Sequence, residues 1–128
     1  MSTDCKNYTV KLTCLVCEDD FLIRMNTLEM LEELGHVALE AKDATTALEI
    51  FAQQPVDLLL TDISLPDLSG IALAQRLQQT RPDLPVIFAT GYGHVGTLPG
   101  RRTGLLPKPF TIDSLASAIV AMGPVRTT

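Results

Sequence analysis

The feature that most restricts what this chain can fold into is the run Leu58-Leu59-Leu60, held between Pro55 and Pro66 and closing on Thr61-Asp62. Three successive leucines leave no polar side for water, so the run suits a strand covered on both faces, as in a parallel sheet. Pro66 stops the strand from continuing, which leaves the Asp62 carboxylate at its mouth. Ligand sites in open parallel sheets gather at the carboxyl ends of the strands. The remaining question is which groups the rest of the chain can bring to Asp62.

A chain of 128 residues is one domain and long enough to bury a core. Its formal charge of −5 argues against nucleic acid as a partner, because a phosphate backbone needs clustered Lys and Arg. No apolar run approaches the roughly 20 residues that span a bilayer. Met1 to Lys11 are polar and lack the apolar centre of a signal peptide, so no membrane role and a cytoplasmic location are expected. These residues read as an N-terminal tail, residues 12–122 as the domain and 123–128 as a C-terminal tail. Three cysteines, Cys5, Cys14 and Cys17, are an odd number and suit a reducing compartment. Cys14 and Cys17 have C-x-x-C spacing, but on a strand residues three apart face opposite ways and share neither a metal nor a disulfide.

Taken in order, Leu12 to Cys17 is a short apolar run expected to form the first strand, ending in Glu18-Asp19-Asp20. The period then turns helical, with Phe21, Met25, Leu28 and Leu31 on one stripe and Arg24, Asn26, Glu29 and Glu33 elsewhere. Gly35 closes that helix. His36 to Ala41 is a second strand, less apolar and so nearer an edge. Asp43 is placed to cap a second helix that buries Ala44, Ala47, Leu48 and Phe51. After the third strand, a helix from about Ser69 to Gln79 turns Gly70, Leu73, Ala74 and Leu77 inward. Pro85 to Ala89 is the fourth strand, ending at Thr90. Leu105 and Leu106 belong to a short fifth strand ending at Lys108, and a final helix from a Thr111 cap buries Ile112, Leu115, Ala116, Ile119 and Met122. This alternation is that of an α/β fold: a flavodoxin-like, doubly wound, five-stranded parallel sheet of order 2-1-3-4-5. Between Thr90 and Leu105 the chain offers Gly91, Gly93, Gly96, Pro99, Gly100 and Gly104 instead of a helical pattern. With about 1 kcal/mol lost per internal Gly and about 3 per Pro, the helix between strands four and five is expected to be irregular or missing.

In that strand order Glu18, Asp19 and Asp62 meet at one side of the crevice, and Thr90 and Lys108 close it from the other. Carboxylates so close repel, and a hard divalent cation such as Mg²⁺ removes the conflict while preferring oxygen ligands. Asp19 and Asp62 are the candidate direct ligands, with the carbonyl of Ser64 as a third and Glu18 acting through water. A carboxylate nucleophile, a cation, an ammonium and a hydroxyl together form a set able to receive a phosphoryl group. Asp20 reads as a cap or surface acid, Asp57 and Asp67 as boundary or turn residues, and His36 and His94 as surface residues. Arg101-Arg102 reads as a solvated pair placed to meet an acidic partner.

Glu18-Asp19, Asp62, Thr90 and Lys108-Pro109-Phe110, in that order and each at a strand end, resemble the receiver domain of two-component response regulators from Leu12 to Met122. The resemblance implies that Asp62 is the phosphoacceptor, Glu18 and Asp19 the acidic pocket, Thr90 the switch hydroxyl and Lys108 the phosphate-binding cation. It also implies a cis Lys108-Pro109 peptide, an isomer accessible mainly before proline. Pro85-Val86-Ile87-Phe88-Ala89-Thr90-Gly91-Tyr92 looks like the signature of the FATGUY class of single-domain receivers of alphaproteobacteria, whose helix after this strand is also irregular. Leu105 departs from the family, which commonly has an aromatic switch residue three before the lysine; Tyr92 is the candidate to take over part of that role.

The expectation is a stand-alone bacterial receiver that takes its phosphoryl group from a sensor histidine kinase or histidine phosphotransfer protein. It would be a monomer or weak dimer acting on a downstream protein, and not a turnover enzyme on an external substrate. Three alternatives stand beside it: the terminal receiver of a hybrid histidine kinase, an interaction module that is never phosphorylated, and an aspartyl-phosphate phosphatase. The last is disfavoured by Ser64, which stands where such enzymes place a general acid.

Overall fold

A computed structural model describes residues 11–91 and 103–122. Five strands, β1 (Thr13–Cys17), β2 (Val37–Ala41), β3 (Leu58–Asp62), β4 (Val86–Thr90) and β5 (Thr103–Pro107), form one sheet of order β2-β1-β3-β4-β5. Every pairing is parallel. The described residues also contain four helices, α1 (Phe21–Glu33), α2 (Ala44–Gln53), α3 (Gly70–Thr80) and α4 (Ile112–Met122). This is the flavodoxin-like order expected from the alternation. The stretch in which a helix was expected to be irregular or missing, with Tyr92, His94, Arg101 and Arg102, lies outside the described residues.

The period of two along each strand divides the core. Leu15, Cys17, Leu59, Val86 and Phe88 face one way and pack with Ala44 and Ala47 of α2 and Leu73, Ala74 and Leu77 of α3. Cys14, Val16, Leu58, Leu60, Ile87 and Ala89 face the other way, onto Leu31 of α1 and Leu115 and Ile119 of α4. Leu58, Leu59, Phe88 and Ile87 are all fully buried, so β3 and β4 are covered on both sides. Cys14 and Cys17 lie on opposite faces as free, buried thiols, and burial pushes each up to about 12, which leaves them unreactive packing groups.

The caps are local side-chain bonds. Asp20 Oδ1 accepts from Ile23 N at 3.0 Å, Asp43 Oδ1 from Thr46 N at 2.8 Å, Ser69 Oγ from Ala72 N at 3.0 Å and Thr111 Oγ1 from Ser114 N at 3.1 Å. Gly35, at φ +93°, ends α1 in the left-handed region that glycine enters without a Cβ clash.

Two expectations fail. Phe21 does not join the inner stripe of α1: it is 61% exposed, and Thr27 is buried with Leu31 instead. Thr27 fits there because its hydroxyl bonds to the Ile23 carbonyl at 2.7 Å, which removes the cost of burying it. His36 is not a plain surface residue either. It is half-buried, and its Nδ1 accepts from Leu12 N at 3.1 Å, tying the start of β1 to the turn before β2. Burial lowers its pKa.

Candidate functional site

The register of β1 against β3 builds the site. Cys17 pairs with Thr61, so the residue after β1, Glu18, and the last residue of β3, Asp62, leave the sheet side by side. Glu18 N donates to Ala41 O at 3.0 Å, carrying the β2 pairing one residue beyond the strand. Glu18 is buried, Asp62 half-buried and Asp19 exposed. Oxygens of Glu18, Asp19 and Asp62 all lie within 4.8 Å of one another.

Lys108 reaches the same place from the end of β5. Its backbone N donates to Thr90 O at 2.7 Å, and its Nζ lies 2.7 Å from Glu18 Oε1 and 3.4 Å from Asp62 Oδ2. Burial raises the pKa of Glu18, only partly offset by its bonds to Lys108 and to the Asp20 N–H, and the Asp62 charge adds to the rise. Burial also opposes the charge on Lys108, but Glu18 and Asp62 outweigh it and raise its pKa. The Lys108–Pro109 peptide is cis, as the resemblance implied. Thr90 ends β4 half-buried beside this group, and Ser64, exposed just past β3, has its N 3.5 Å from Asp62 Oδ1.

The donor set fits Mg²⁺. Three carboxylates against one ammonium leave two negative charges, which one divalent ion matches with hard oxygen ligands. Asp20 caps α1, as expected, and its N donates to Glu18 Oε2 at 3.0 Å.

Three residues that shape the site carried no clear functional signal. Arg24, assigned to the polar side of α1, is a clamp: it donates to the Glu18 carbonyl and to Glu40 Oε1, both at 2.8 Å, and lies over the Phe21 ring at 5.6 Å. Its spacing from Glu18 was visible, but its bond to a backbone carbonyl was not. Gly70, expected only as a buried helix residue, meets the backbone of β3. A Cβ there would fall 1.9 Å from Asp62 O, and Gly70 N donates to Ile63 O at 2.7 Å. Asp67 is more than a turn residue. Its carboxylate accepts from Ala44 N at 3.0 Å, Thr45 N at 2.9 Å and Thr45 Oγ1 at 2.7 Å, which joins the loop after β3 to the start of α2.

Beside Lys108 opens a cavity of about 420 Å³ between α1 and the start of α4, lined by Ile23, Asn26, Thr27, Met30, Gly91, Pro109 and Phe110.

Residues 14–120 match the response regulator receiver domain, and the chain belongs to that family. It is 35% identical over 112 residues to the response regulator receiver protein CpdR of Brucella abortus, covering 84% of this chain and 93% of that one. It is 34% identical over 116 residues to the sensor kinase CckA of the same organism, covering 86% of this chain but 12% of the kinase. Among solved structures, the response regulator TrrA of Thermotoga maritima, in complex with Mg²⁺-BeF, superposes with a TM-score of 0.79. It is 28% identical, with 88% of this chain and 99% of that chain covered.

Proposed function

We propose that this receiver takes a phosphoryl group onto Asp62 from a sensor histidine kinase or a histidine phosphotransfer protein, with Mg²⁺ bound, and signals through contacts with a downstream protein in the cytoplasm. Residues 12–122 act as the receiver, with 1–11 and 123–128 as tails. The observation that carries this is the convergence of Glu18, Asp19 and Asp62 within 4.8 Å, with Lys108 Nζ 3.4 Å from Asp62.

An Asp62 carboxylate oxygen attacks phosphorus in line, the P–O bond forms as the donor's P–N bond breaks, and the departing imidazole takes up a proton. Asp19, Asp62 and the Ser64 carbonyl would hold Mg²⁺, with Glu18 reaching it through water. When bound, the ion neutralises the acids and stabilises charge on the phosphoryl oxygens. Lys108 shares that charge, leaving Glu18 for the new phosphoryl oxygens. Thr90 supplies a hydroxyl to them. Exposed Phe21 and Leu22 at the start of α1, 61% and 71% accessible, and the cavity beside Lys108 offer the donor apolar surface.

Incubation with acetyl phosphate and Mg²⁺ tests this. Intact mass rises by one phosphate, and Asp62→Asn prevents it; labelling that survives the substitution moves the acceptor elsewhere. The likeness to CckA favours a second reading, in which the same chemistry serves as the receiver part of a longer kinase. A phosphotransfer profile against the host's kinases separates the two by which donor labels Asp62 fastest.

A further inference from the structure

The loop from Ile63 to Ser69 carries Ser64 and connects Asp62 to α3, and it is fastened at two places. At its end, Gly70 N bonds to the Ile63 carbonyl at 2.7 Å, closing the loop on itself. In its middle, Asp67 accepts three hydrogen bonds from a different part of the chain, the first turn of α2. Asp43 already caps α2 through Thr46 N, so α2 has a cap of its own without Asp67. Asp67 takes two further first-turn N–H groups of α2, so its bonds serve the helix and at the same time tie the loop to it. A carboxylate that accepts three bonds holds its own backbone against displacement, as partners behind metal ligands do. The bonds from Ala44 N and Thr45 hold the Asp67 carboxyl well below its ordinary value, to about 2, so it stays charged throughout the working range.

We propose that Asp67 is a positioning residue for the metal site: by anchoring the loop to Ala44 and Thr45 it fixes the Ser64 carbonyl, three residues earlier, where it can complete the ligand set of Asp19 and Asp62. This rests on the Mg²⁺ reading given above. Asp67 touches neither metal nor phosphoryl group. It acts by sparing the loop the ordering that the ion would otherwise have to impose, a cost that appears as lost affinity.

The test compares two caps of the same helix. Mg²⁺ binding is measured by calorimetry on the full chain for wild type, Asp67→Ala and Asp43→Ala, together with thermal melting in metal-free buffer. Both variants lose a cap on α2 and melt earlier. Only Asp67→Ala weakens Mg²⁺, by about tenfold, the lower end of what loss of an outer-shell partner costs. Asp67→Asn, which keeps one acceptor oxygen, falls between Asp67→Ala and wild type, and Thr45→Val weakens Mg²⁺ less than Asp67→Ala does. Equal Mg²⁺ affinity in wild type and Asp67→Ala, or an equal loss in Asp43→Ala, overturns the proposal. Absence of Mg²⁺ binding by the wild type overturns the metal reading beneath it.

Discussion

The two ends of β3 carry the same side chain and use it in opposite ways. At the amino end, Asp57 Oδ2 accepts from Thr13 N at 2.8 Å while Asp57 N donates to Thr13 O at 2.8 Å, a closed pair that ties β3 to β1. At the carboxyl end, Asp62 faces two other acids and has an ammonium at 3.4 Å. Other polar groups at the amino end are paired in the same manner: Leu12 N on His36, the Arg81 guanidinium on the Val56 carbonyl, and the Gln78 amide on the Leu84 carbonyl at 3.0 Å. The difference teaches that one end of this sheet spends its polar groups on the fold. The other end keeps like charges together, which costs stability and leaves room for a cation and a phosphoryl group.

Substitutions at the two aspartates should therefore separate chemistry from stability. Asp62→Asn abolishes phosphate labelling in an intact-mass assay, yet raises the urea midpoint in metal-free buffer, because it removes one of three crowded negative charges. Asp57→Ala does the reverse: labelling persists, and stability falls by about 1–2 kcal/mol as the Thr13 N–H loses its partner. A destabilised Asp62→Asn or an unlabelled Asp57→Ala breaks the contrast.

Gly70→Ala tests how tightly the reactive end is built. A methyl group cannot sit 1.9 Å from Asp62 O, so α3 must retreat from β3. A loss of about 3 kcal/mol is expected in urea unfolding, with slower labelling from the shifted Asp62. An unchanged midpoint means that the helix start is more yielding than its contacts suggest.

The smallest effect belongs to His36. Its folded pKa is lowered, so the unfolded chain binds the proton more readily, and the stability it contributes is complete above about pH 6.5. That stability is lost as pH falls through the lower folded value. Asn at this position keeps an acceptor for Leu12 N but does not titrate. The urea midpoint of wild type should drop relative to His36→Asn between pH 7.5 and 5.5, and parallel midpoints would mean that the ring is not held neutral.

Strand ends were the legible part of this molecule. Runs such as Leu58 to Asp62 and Val86 to Thr90 state both burial and termination, so strand order followed from connection rules, and the acids and Lys108 fell together once that order was known. Contacts between segments distant in sequence were not legible. Asp67 looked like any turn aspartate because its donors lie more than 20 residues away on α2, and Gly70 looked like a packing residue because its neighbour is backbone. Phe21 was misplaced because periodicity gives the spacing of a stripe without saying where on the helix the core begins; the buried hydroxyl of Thr27 broke the pattern.

Labelling by acetyl phosphate with Mg²⁺ present, followed by the same reaction in excess chelator, probes the convergence at the carboxyl end most directly. One phosphate is expected with the ion and essentially none without it, and Asp19→Asn should resemble the chelated wild type even with Mg²⁺ supplied. Equal labelling with and without the ion would contradict the account, because Asp62 would then be reacting without the shared cation that its acidic neighbours are there to hold.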